Sequence, residues 1–155
     1  MIKQLKQFLV EVNKAGYASG KERAWVKEKD GSTTIEFRQG EWKSHDNFFG
    51  GEPYGGRAIV FYEGKPVWIM VYYGRLVETA DPQQIYAVLR HALEKMPLAS
   101  PLRGPKEYKE KGFWYRNKWQ GGVDDFRGKE RITEGKKIVY SGSYMGGWVD
   151  KREGV

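Results

Sequence analysis

The chain opens on an amphipathic stretch. Ile2, Leu5, Phe8, Leu9 and Val12 recur at helical spacing on one side, and Gly16 follows as a stop. A second stripe runs through Ile85, Val88, Leu89, Ala92, Leu93 and Met96. Asp81 is placed to cap this helix, and Pro82 suits its first position, where no N–H is needed. Gln84 stands where a capping box wants it, and Pro97 ends the run. Elsewhere the pattern is one of short β-prone segments. Asp30-Gly31, Gln39-Gly40, Glu63-Gly64 and Glu134-Gly135 each divide two of them and predict hairpins. Val67 to Tyr73 is apolar at both odd and even positions, so it is expected as a central strand covered on both faces. Pro97 to Pro105, with Pro101 and Gly104 between, predicts a loop. Two helices covering mainly antiparallel strands make an α+β fold.

The segments also recur in order. Gly40-Glu41-Trp42, Gly50-Gly51, Tyr54-Gly55-Gly56, Glu63-Gly64-Lys65 and Tyr73-Gly74 are matched by a second set. That set is Gly112-Phe113-Trp114, Gly121-Gly122, Phe126-Arg127-Gly128, Glu134-Gly135-Lys136 and Met145-Gly146. Each set follows a helix. The expectation is two pseudo-symmetric helix-plus-three-strand units, with repeats at 40–78 and 112–150, inside a single domain spanning residues 1–155.

Composition narrows the chemistry. Six Trp, 10 Tyr, 7 Phe and 20 Gly suit pleated surfaces joined by tight turns. The absence of Cys excludes disulfides, a thiolate zinc site and a thiol nucleophile. Charges break up the apolar residues at the N-terminus and no run of 18 apolar residues occurs, so a cytoplasmic protein without a membrane partner is expected. The net charge of +7 favours attraction to polyanions. The alternating signs of Lys106-Glu107-Tyr108-Lys109-Glu110-Lys111 read instead as a solvated surface.

With two His and no paired-histidine spacing, no metal site or cofactor is expected, and His91 reads as a solvated helix residue. No nucleophile elbow is present, and the glycine clusters lack the Gly-Lys-Ser/Thr ending of a phosphate loop. Residues needed for folding should recur in both units, whereas a site belongs to one. The stretch from Trp42 to Arg57 contains His45, Asp46 and Glu52, for which the second unit offers no evident counterpart. On a strand, His45 and Asp46 point to opposite faces. An apolar setting would raise the pKa of Asp46 and suit it to acid–base work, while a structural role in a turn is the alternative.

Taken together, Tyr17-Ala18-Ser19-Gly20, Gly40-Glu41-Trp42, Asp46-Asn47-Phe48-Phe49-Gly50-Gly51, Gly64-Lys65-Pro66-Val67-Trp68 and Tyr72-Tyr73-Gly74 carry a resemblance. With Arg103-Gly104-Pro105 and Gly146-Gly147, they resemble an uncharacterised prokaryotic domain family. Its members stand alone or behind an XRE-type helix-turn-helix, and no such helix pair is expected within residues 1–155. The resemblance implies a sensing role and supplies no catalytic residues.

Three functions follow as expectations. The first is a small-molecule binding or sensing module with an aromatic, Gly-rich cleft lined by Trp42, Phe48, Phe49, Tyr54, Arg57, Trp68, Tyr72 and Trp114. The second is a small hydrolase or lyase with Asp46 or Glu52 as acid–base and His45 nearby. The third is single-stranded nucleic-acid binding through rings and net charge. A homodimer through an open sheet edge is also open.

Overall fold

A computed structural model describes residues 1–19, 25–77 and 80–151. Helix α1 (Ile2–Ala15) leads through a short turn, Tyr17–Ser19, into strands β1 (Trp25–Lys27), β2 (Thr33–Gln39), β3 (Trp42–Phe49), β4 (Tyr54–Tyr62) and β5 (Lys65–Leu76). Helix α2 (Pro82–Glu94) precedes β6 (Glu107–Glu110), β7 (Phe113–Gly122), β8 (Asp125–Glu134) and β9 (Lys137–Trp148). The described strands form one antiparallel sheet in the order β1-β2-β3-β4-β5-β9-β8-β7-β6. The fold is α+β, as the pattern predicts.

Two meanders, β2–β5 and β6–β9, are therefore joined along β5 and β9. The three strands expected after each helix are β3–β5 and β7–β9, and β2 and β6 extend each set outward. The ladders run alike in both halves. Tyr54 faces Gly74 as Phe126 faces Gly146, and Val60 faces Trp68 as Ile132 faces Tyr140. Both ladders slip at the same place, between Val60 and Phe61 and between Ile132 and Thr133. Gly50 and Gly121 open equivalent turns at φ 76 and 84, where a Cβ would stand 2.3 Å from the Pro53 carbonyl oxygen and 1.9 Å from that of Asp125. Side chains are excluded at both corners.

Both helices lie on the same face of the sheet. Leu5, Phe8 and Leu9 of α1 join the cluster of Val60, Trp68, Met70, Phe126 and Tyr144. Ile85, Val88, Leu89, Ala92 and Leu93 of α2 join Leu76, Phe113, Tyr115, Ile132 and Tyr140. Trp68 is 1% exposed and donates its indole N–H to the Val123 carbonyl at 2.7 Å, so its removal should cost about 3–5 kcal/mol.

Several local expectations are corrected. Ile2 is exposed, because it precedes the turn of α1 that meets the sheet. Met96 lies beyond α2, which closes at Lys95, whereas Asp81 caps the helix as expected, its carboxylate accepting from the Gln83 N–H at 3.0 Å. His91 is not merely solvated: its Nδ1 lies 2.8 Å from Glu110 Oε2. Most consequential is β5. It is central, but helices cover one of its faces only, and Val71 and Tyr73 are exposed on the other.

Candidate functional site

The two faces of the sheet offer different chemistry. On the helix-covered face, the loop between α2 and β6 turns inward: Pro101, Leu102 and Gly104 are buried. Arg103, at φ 104, is driven into the middle of the sheet. That backbone conformation costs a non-glycine residue about 1–3 kcal/mol. The guanidinium is held by Glu130, with Nε 3.1 Å from Oε1 and a second, shorter contact from Nη2. Glu130 also accepts from the hydroxyls of Tyr140 at 3.0 Å and Tyr115 at 2.6 Å. Tyr54 and Tyr140 share a hydrogen bond of 2.5 Å. Burial works against the Arg103 charge, but Glu130 and the surrounding tyrosines outweigh it and hold its pKa well above the ordinary value. With both Glu130 oxygens engaged, this cluster is a structural staple.

Asp46 lies on the same face, in β3. The Tyr72 hydroxyl donates to its Oδ1 at 2.5 Å, and Arg103 lies over the Tyr72 ring at 5.8 Å. Burial pushes the Asp46 carboxyl up, against the Tyr72 bond and the charges of Arg103 and His45. The ladders assign Asp46 a counterpart that motif matching misses. Asp46 faces Ala58 as Asn117 faces Glu130, and Tyr144 donates to Asn117 Oδ1 at 2.7 Å. The Asn117 amide in turn donates to the Gly104 carbonyl at 2.9 Å. Asp46 is thus the charged member of an otherwise matched pair. Trp42, likewise, is matched in the ladder by Phe113 rather than Trp114.

The open face is cationic. Alternation along β8 places Arg127, Lys129 and Arg131 there, exposed, while Phe126, Glu130 and Ile132 face the helices. On β7, Arg116 stands opposite Arg131, and Lys118 stands opposite Lys129. Among the described residues, none of these five cations has a carboxylate within ion-pair reach; Glu107 stands across the ladder from Arg116. Arg116 is oriented by Trp114, its guanidinium carbon 3.9 Å from the ring centroid, and Lys109 lies 4.4 Å from the same ring. Next to the cations runs an apolar stripe: Tyr73 is 53% exposed and Met145 48%, with Val71 beside them. Stripe and cations line one trough of about 1840 Å³.

The residues expected in one aromatic cleft are divided between these faces. Trp42 packs on Phe8 and Tyr62, and Trp68 is core. Phe48 meets Trp25 edge-on, while Tyr54 and Tyr72 belong to the tyrosine cluster, their rings 6.0 Å apart. Phe49, Arg57, His45 and Trp114 alternate to the open face. Glu52 accepts from the Leu76 N–H at 2.8 Å and from the Tyr86 hydroxyl, so it clips the β3–β4 turn to α2. Asp46 and Glu52 have different partners. Among the described residues no three His, Asp or Glu side chains gather as metal ligands, and no helix is long and apolar enough to cross a membrane.

These features define a small α+β sheet domain with a stapled interior on one face and an uncompensated cationic surface on the other. Residues 46–149 match the model of DUF5680, a domain of unknown function, and the chain belongs to that family. No curated protein and no solved structure matches the chain.

Proposed function

We propose that the domain binds polyanionic chains on its open sheet face. The observation that carries this reading is the pair of facing like charges, Lys118 with Lys129 and Arg116 with Arg131. Like charges directly opposite in a ladder destabilise it, by a few tenths to about 1 kcal/mol each. Arg116 packs on Trp114, but among the described residues no packing contact of the sheet calls for Lys118, Lys129 or Arg131. An anionic chain laid across the face removes that repulsion, whereas a second copy of the same face would add to it. The test is binding to heparin as a function of salt, measured by fluorescence. Affinity is expected to fall steeply and log-linearly with salt, and to weaken in Lys129→Glu and Arg131→Glu. No binding at low ionic strength rejects the reading.

A second reading keeps a small ligand at Asp46. It is favoured by the Asp46–Asn117 asymmetry, since the neutral amide satisfies the same tyrosine geometry without a charge. A metabolite screen in which some compound raises the melting temperature of the natural chain but not of Asp46→Asn would support it. Acid–base catalysis by Asp46 and Glu52 has less support, because both Glu52 oxygens already serve Leu76 and Tyr86. The matching ladders and matching slips support duplication of an ancestral meander. A cytoplasmic, prokaryotic domain working alone or beside an XRE-type regulator is consistent with a polyanion as partner.

A further inference from the structure

We infer that the polyanion is a single-stranded nucleic acid, its phosphates on β8 and β7 and its bases on β5 and β9; this rests on the open face being the binding surface. Two successive rows across the sheet have the same polarity. One runs Val71, Met145, Arg127, Gln120, and the next Tyr73, Ser143, Lys129, Lys118. In each, an apolar or aromatic side chain on β5 lies two strands, about 10 Å, from the first cation, the scale of a nucleotide from base to phosphate. Along β8 the cations repeat every second residue, at about 7 Å, so several backbone charges are met in succession.

The Tyr73 ring is prepared for stacking. Its Cδ2 lies 3.2 Å from where a Cβ on Gly55 would stand, so the ring leans across a glycine on the neighbouring strand and leaves its other side to solvent. Ser143 sets a hydroxyl between Tyr73 and Lys129, where a sugar and its linkages would lie. A duplex keeps its bases stacked inside and would leave Tyr73, Val71 and Met145 without partners. Heparin and polyglutamate have no planar ring to place there. A single strand uses both halves of the trough.

The experiment is fluorescence anisotropy with a short oligothymidylate, the corresponding duplex, heparin and polyglutamate as probes, over low to moderate salt. The single strand is expected to bind at least about tenfold more tightly than the duplex. Tyr73→Ala should lower oligothymidylate affinity by about fivefold to a hundredfold relative to heparin, and Tyr73→Phe should restore it. Unchanged melting curves confirm that the variants fold, since Tyr73 is exposed. Duplex, heparin or polyglutamate binding as tightly as the single strand, with Tyr73→Ala silent, overturns this inference and leaves the polyanion reading standing. Failure of every probe at low salt overturns both.

Discussion

Tyr72 and Tyr144 stand opposite each other on the β5–β9 ladder, and each donates its hydroxyl to the equivalent position of its own half, Asp46 in one and Asn117 in the other. The geometry is shared and the charge is not.

Asp46→Asn should therefore preserve the Tyr72 contact while removing a buried charge. The folded-state pKa of Asp46 is raised, so the folded chain holds this proton more tightly than the unfolded one. The contribution of Asp46 to stability is then greatest at low pH and declines as pH rises through the folded value. The variant is expected to match the natural chain below about pH 4 and to exceed it above, by a margin that levels off once the folded carboxyl has also ionised. Urea unfolding over a pH series measures this. A natural chain that stays the more stable at neutral pH would mean that the Tyr72–carboxylate bond outweighs burial.

The Arg103–Glu130 pair makes a sharper demand. Either Arg103→Met or Glu130→Gln strands a partner among buried tyrosines, at about 3–5 kcal/mol. The double variant should cost less than the sum by about 1–3 kcal/mol, which a double-mutant cycle in denaturant resolves. Strict additivity would refute the coupling.

Much of the fold is legible in local chemistry. Each Xaa-Gly turn named in the sequence closes a hairpin, and Asp81 caps α2. The staple is not, because Arg103 comes from a proline-rich loop and Glu130 from a strand far from it in sequence, and nothing local pairs them. A signal was nevertheless present in β8: at every second position Glu130 keeps company with Phe126 and Ile132, not with Arg127, Lys129 and Arg131. The exposed side of β5 was hidden for the converse reason. Val71 and Tyr73 are apolar where a solvated face is ordinarily polar, so periodicity assigned them a cover that the topology does not provide. Asp46 has no evident counterpart in the sequence, and the ladders supply one in Asn117, which differs from it in charge.

Arg131→Glu separates stability from binding. It replaces a repulsive pair with an attractive one opposite Arg116, so stability should hold or rise by a few tenths to about 1 kcal/mol. Heparin affinity should fall and its salt slope should lessen by about one contact. Parallel thermal melts and salt titrations would check both; a loss of stability together with binding would argue for a structural role.

Gly128 is crowded by a ring and Gly56 by backbone. A Cβ on Gly128 would stand 2.2 Å from the Tyr144 ring, and one on Gly56 would stand 2.5 Å from the Asn47 carbonyl oxygen. A ring can swing where a backbone cannot. Gly128→Ala should cost about 1–3 kcal/mol, with loss of the Tyr144–Asn117 bond, and Gly56→Ala should cost more. Melting temperatures order the two directly.

The strand order also constrains assembly. β9 comes last in sequence among the nine described strands, yet it lies between β5 and β8 at the middle of the sheet. Until it docks, each meander presents a long unpaired rim, and the seam that unites them can form only after a wide loop has closed. Completion of this molecule is consequently a late, non-local event, and a nascent or truncated chain lacking that central strand would be left with two adhesive borders.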